Sequence, residues 1–255
     1  MTEGDITYAA FWLYQVLPAY RQLGAERQQA AQMDFAERVG QASDRLVLRG
    51  AYSLAGFRAD ADLMLWLHGT DLPGLHELAI SLRRSGLGPY LREAYTYIGM
   101  VPESQYAPEH RPAFIKGAAP KTYLSIYPFI KTPAWYRLPF PERRLMMAEH
   151  GRLGKAHSAL PEVRIETGES VPDHGAVATL APVAEPATGG VLANTVHSFG
   201  LGDQEFVVAF EADEPAQIVH MVEELRAAEV RLYTAVDTPI FLGYRKSLAE
   251  TLADL

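Results

Sequence analysis

Two distant stretches of this chain share one pattern: LMLWLHGTDLPGLHELAISLRR (63–84) and FVVAFEADEPAQIVHMVEELRAAE (206–229). Each has an apolar run of strand length, an acidic residue two places before a proline, a helix-patterned segment and then Leu-Arg. Asp71 and Pro73 answer Asp213 and Pro215, and Leu82-Arg83 answers Leu225-Arg226. A unit repeated in the same order is the signature of duplication. With 255 residues, one large domain or two fused similar halves would both be possible, and the repeat points to two. Strand-rich halves that each carry helices predict an α+β fold, with helices on one face of antiparallel sheets.

The remaining segments fit that plan. Residues 7–17, 46–57, 63–69 and 92–100 read as strands, the second and third joined through the RADAD turn. A polar helix-like segment runs to Val39. A second helix starts near Pro73, carries Leu75, Leu78, Ala79 and Leu82 as its stripe and stops at Gly86. Leu160–Gly190 fits neither half: it has four prolines, no aromatic residue and no sustained period, and reads as a flexible surface insertion.

Lys121–Gly154 brings unusual side chains together. Tyr123, Ser125 and Tyr127 alternate with Leu124 and Ile126 as in a strand, a Pro-punctuated aromatic loop follows, and Pro141 sits where a helix begins. On that helix His150 shares the apolar face with Met146, Met147, Leu153 and Gly154. Position alone leaves His150 as either a hydrogen-bonded core residue or a ligand. In the last long helix Ile218, Val222, Leu225 and Glu229 fall on one stripe, predicting a carboxylate at the end of a buried face. Such a group needs a partner, because burying it alone costs about several kcal/mol.

Composition removes whole classes of function. A net charge of −8 without a basic run argues against nucleic acid. The absence of cysteine excludes disulfides, thiolate-held zinc, iron–sulfur clusters and a thiol nucleophile, and fits the cytoplasm. No HxxxH or HExxH spacing supports mononuclear zinc. The N-terminus lacks the basic start of a signal peptide, and no apolar run reaches membrane-spanning length.

Tyr127-Pro-Phe-Ile-Lys131, Trp135-Tyr136-Arg137-Leu138-Pro139, Leu145-Met146-Met147 and His150-Gly151 form an ordered set of blocks. NTVHSFGLGDQEF (194–206), LRAAE (225–229) and TPIF (238–241) extend it. Together they resemble the chlorite dismutase-like haem proteins, and within them the coproheme decarboxylase branch in its actinobacterial form. The resemblance implies two tandem ferredoxin-like halves, residues 1–115 and 116–255, forming a dimeric α+β barrel. It places the haem site in the C-terminal half and the insert at 160–190, and implies a ring of five subunits. Coproheme would be both substrate and redox centre. By that resemblance hydrogen peroxide would oxidise its iron and two propionates would leave as CO2 to give haem b, with a transient ferrochelatase contact. A general haem peroxidase, a chlorite dismutase-like enzyme or a non-catalytic haem carrier are the competing readings.

By that resemblance His150 matches the proximal iron ligand and Glu229 its carboxylate partner. Tyr127 matches the tyrosine whose radical takes hydrogen from the reacting propionate, and Lys131 a basic residue beside a propionate. His110 matches the distal base that deprotonates peroxide. Trp135 and Met147 are expected pocket walls, and Arg231 faces either the porphyrin edge or solvent. Lys116, Lys121 and Arg137 complete the candidate propionate cations. Ala193 stands where chlorite dismutases carry a distal arginine, which disfavours chlorite, since its oxyanion would lack a fixed counter-charge.

Overall fold

The computed structural model describes residues 6–101, 111–158 and 190–255. The chain opens with β1 (Thr7–Val16), α1 (Ala25–Gln41), β2 (Val47–Ser53), β3 (Leu63–Gly69), α2 (Leu72–Arg83) and β4 (Leu91–Val101). It continues with β5 (Tyr123–Lys131), α3 (Pro133–Arg137), α4 (Phe140–Ala156), β6 (Leu192–His197), β7 (Phe206–Ala212), α5 (Pro215–Ala227), β8 (Thr234–Val236), β9 (Phe241–Lys246) and α6 (Leu248–Ala253). The first four strands lie in the order β4-β1-β3-β2. In the second set the order is β9-β5-β7-β6. Both are ferredoxin-like arrangements, and the fold is α+β as the repeat predicts.

Two seams join the halves: β2 pairs with β9, and β4 meets β6 at Met100↔His197. With β5 paired to both β7 and β9, eight antiparallel strands close into a ring, while β8 extends the far end of β5. Closure leaves few strand edges open. Inside the ring, Phe11, Leu13, Met64 and Trp66 from one half meet Leu124, Ile126, Val207 and Phe241 from the other. A buried ion pair crosses this interior, Arg49 Nη2 lying 2.5 Å from Glu211 Oε2, with side-chain exposures of 5% and 0%. Asn194 Nδ2 donates to the same carboxylate at 3.1 Å.

The outer faces carry the helices. In the first half α1 contributes Ala31, Phe35 and Val39, and α2 contributes Leu75, Leu78 and Leu82, to one core over Trp12, Tyr14 and Val16 of β1. Side chains of this size are worth about 1.5–3 kcal/mol each when fully buried. The second half has two smaller clusters. One holds Val208, Phe210, Ile218 and Met221, the other Trp135, Met146, Ala228 and Val230.

Two local expectations change. The strand expected at 46–57 ends at Ser53, because Leu54 begins a turn in which Gly56 takes φ +81°, where only glycine is unstrained. The matching acids of the repeat also do different work. Asp71 caps α2, accepting from the Gly74 N–H at 2.9 Å. Asp213 instead accepts from Lys121 Nζ at 2.6 Å and Thr122 Oγ1 at 3.1 Å, and Glu214 is the residue before α5. The insertion expected at 160–190, apart from Gly190, lies outside the described residues, as does His110. Among the described residues, no helix is long and apolar enough to cross a membrane.

Candidate functional site

Strand alternation divides β5 between two environments. Leu124 and Ile126 enter the ring interior, whereas Tyr127 and Phe129 join the cluster under α5. Lys131, two residues further on, shares that outer face. Tyr127 pairs with Val208 across the ladder and sets its ring edge-on to Phe210, centroids 6.1 Å apart. Burial pushes its phenol above the usual range. Arg226 and Arg231 pull it back, and Asp237 adds to the rise. Those three groups form their own cluster: Asp237 Oδ2 pairs with Arg226 and lies 3.1 Å from Arg231 Nη2.

Lys131 is 9% exposed, with its ammonium 4.7 Å from the Trp135 ring centroid and 5.0 Å from that of Phe129. A cation resting on ring faces gains cation–π attraction without a counter-ion. Desolvation lowers its pKa to about 8; Glu205 opposes the drop and Arg231 adds to it. Such an ammonium is suited to an incoming anion.

Pro133 and Pro141 open the two short-spaced helices that bring the other wall. Trp135, on α3, is buried and packs against Tyr233 at 5.8 Å. On α4, Met146 is buried, Met147 packs beside it, and His150 is half-buried. The His150 Nδ1 atom is buried with no hydrogen-bond partner. Desolvation first, then the Lys131 charge, lowers the imidazole pKa, while Glu149 works in the opposite sense. The ring is therefore neutral near pH 7, the form that ligates a metal.

Glu229 requires a correction. The stripe through Ile218, Val222 and Leu225 was expected to carry Glu229 inward, but α5 ends at Ala227 and Ala228 turns extended at φ −66°, ψ 141°. Glu229 then opens a 3-10 turn with its side chain exposed, and its N–H donates to Glu149 Oε2 at 3.2 Å. Helical phase does not survive a non-helical residue. Glu149, unremarked in the sequence, is the carboxylate whose field reaches His150.

Among the other candidate cations, Lys121 is taken up by Asp213, while Lys116 and Arg137 are exposed. Arg231 stands beside Tyr127 and Lys131, tied to Asp237. Sequence reasoning missed Arg226, Asp237 and Glu205. The only signal was the repeated Leu-Arg, whose first-half member Arg83 similarly reaches an acid, Glu93, at 2.5 Å. On β6, Ala193 pairs with Phe210 of β7 and is exposed.

The donor set fits an iron porphyrin. A neutral imidazole with an unsatisfied ring nitrogen, aromatic and methionine walls, and a desolvated cation are residue types that would hold the iron, flank the ring and meet a propionate. Among the described residues no group of three or more His, Asp or Glu side chains could hold a bare metal ion. A single imidazole would suit a metal that arrives already held by a macrocycle.

The sequence matches the chlorite dismutase family over residues 27–174 and 172–246, and the chain belongs to that family. It is 32% identical over 255 residues to the coproheme decarboxylase of Mycolicibacterium smegmatis, covering 99% of this chain and 96% of the relative. Its fold resembles that of a mutant chlorite dismutase from Candidatus Nitrospira defluvii, with TM-score 0.78 and 20% identity over 99% and 96% of the two chains. The chlorite dismutase of the same organism in complex with imidazole gives TM-score 0.77 at 20% identity, over 99% and 95%.

Proposed function

We propose that this chain is a hydrogen peroxide-dependent coproheme decarboxylase, converting Fe-coproporphyrin III to haem b with loss of two propionates as CO2. The observation that carries the reading is the outer face of β5, which presents a phenol among charged groups and a desolvated ammonium whose charge acts on His150. The relative at 32% identity bears that activity in its name. When bound, the iron porphyrin supplies the redox chemistry. Each departing propionate, with one peroxide and one proton, gives a vinyl group, CO2 and two waters.

The protein's own contributions follow from its side chains. His150 would hold the iron, its basicity tuned by Glu149. Tyr127 suits hydrogen-atom transfer, because a phenol that resists ionisation loses its proton only as it loses an electron. Asp237, held between Arg226 and Arg231, keeps both guanidiniums near the phenol. Lys131 binds a propionate by charge, and Trp135 and Met147 wall the ring. His110 acts as base toward peroxide. Ala193 itself offers chlorite no counter-charge. The same reading carries a five-subunit ring, a cytoplasmic setting and a transient ferrochelatase contact.

The test is to titrate coproheme-loaded protein with peroxide and weigh the porphyrin. Loss of two CO2 units in wild type, abolished in Tyr127→Phe, is expected. Equal conversion in both would remove the radical role. Binding without conversion in wild type would leave a haem carrier instead.

A further inference from the structure

At the end of β5 the ladder changes partner. Phe129 is the last residue paired with β7, opposite Phe206, and Ile130 and Lys131 pair with Val236 and Thr234 of β8 across a register shift. A backbone N–H at such a switch needs an acceptor, because leaving it buried and unpaired costs stability. Glu205, immediately before β7, supplies one. Its Oε2 accepts from the Lys131 N–H at 2.7 Å and from the Tyr136 hydroxyl at 2.6 Å. The carboxylate's own backbone is braced on both sides, its N–H donating to Phe129 O at 3.2 Å and its carbonyl accepting from Ser198 N at 2.7 Å.

One oxygen thus ties the lysine's peptide to α3, the helix that presents Trp135 under the ammonium. We propose that Glu205 is the positioning residue for Lys131, fixing the peptide and the aromatic support that together aim the ammonium at a carboxylate of the bound porphyrin. A carboxylate serves better than a neutral acceptor here, since charge-assisted hydrogen bonds are roughly twice as strong. Its charge also favours the protonated lysine against desolvation. Arg231 from the turn after α5 and His150 from α4 are the other charged or titratable groups acting across this space. The inference rests on the decarboxylase reading only for the identity of the anion.

Glu205→Ala and Glu205→Gln in the full chain test it. In the porphyrin-free protein, hydrogen exchange at the Lys131 amide should accelerate at least about tenfold in E205A and less in E205Q. Absorbance titration with coproheme should show about tenfold weaker binding by E205A, with most of the loss recovered in E205Q. Coproheme tetramethyl ester, which has no anionic carboxylate, should bind E205A within about twofold of wild type. Unchanged Lys131 exchange, or equal losses for coproheme and its ester, would overturn the proposal. Wild-type protein that binds coproheme but releases no CO2 with peroxide would end the decarboxylase reading while leaving this comparison decisive.

Discussion

The two halves present the same strand face to their helices and use it in opposite ways. Register matches them: Trp12 and Tyr14 pair with Leu65 and Leu63, as Tyr127 and Phe129 pair with Val208 and Phe206. Two residues further on stand Val16 and Lys131. In the first half this column is sealed beneath Phe35, Val39, Leu75 and Leu78. In the second, α4 buries only Met146, and α5 only Ile218 and Met221. Where the first half places an indole and a valine, the second places a phenol and an ammonium. Duplication allowed one copy to keep the close-packed solution, and so to support a second copy that packs less tightly around Tyr127 and Lys131.

The largest test of that contrast is core truncation. Phe35→Ala should cost about 3–5 kcal/mol in denaturant unfolding, and Met146→Ala about 2 kcal/mol, at the low end for buried methionine. Equal losses would mean that the second half is packed as tightly as the first. Next comes the link between halves. Removing one member of the buried pair, as in Glu211→Ala, should cost about 3 kcal/mol, because Arg49 is left uncompensated. A loss confined to one half, seen by residue-resolved exchange, would show that the ring does not couple them.

Tyr127→Phe should lower decarboxylation at least about a hundredfold, within the range of a lost proton-handling group. Its stability should change by less than about 1 kcal/mol, measured by the same unfolding. A mutant as unstable as it is inactive would place Tyr127 with Trp12 as packing. The smallest effect is in pH. Lys131, with a pKa lowered to about 8, is charged below that pH and neutral above it. Coproheme affinity should therefore weaken as pH rises through about 8. Lys131→Arg should remove that dependence, since a guanidinium stays protonated. The same limb in K131R would assign it to another group.

Much of the fold could be read locally. Strand alternation and proline-opened helices are short-range signals, so the β5–α4 block and the repeat emerge from neighbouring residues. Long-range partners do not. Arg49 and Glu211 are 162 residues apart, and nothing near either names the other. Glu229 shows a different limit: its stripe was sound to Leu225, but whether a helix continues through Ala228 depends on tertiary packing rather than on period. At the site, His150 stood out by its place on an apolar helix face, whereas Tyr127, Lys131 and Trp135 took their roles from the resemblance of their ordered blocks to the family. Glu205, Asp237 and Arg226 act through contacts made only once β5, α3 and the segment after α5 converge.

The closed ring has a further consequence. Severed between β4 and β5, each half would expose two long strand edges, β2 and β4 on one piece and β6 and β9 on the other. Unpaired edges seek partners, and here the matching pair would be the other fragment. The chain is in that sense an obligate dimer whose subunits were sewn together. Separately produced halves should be sticky alone and soluble when mixed, with the linker supplying local concentration rather than architecture.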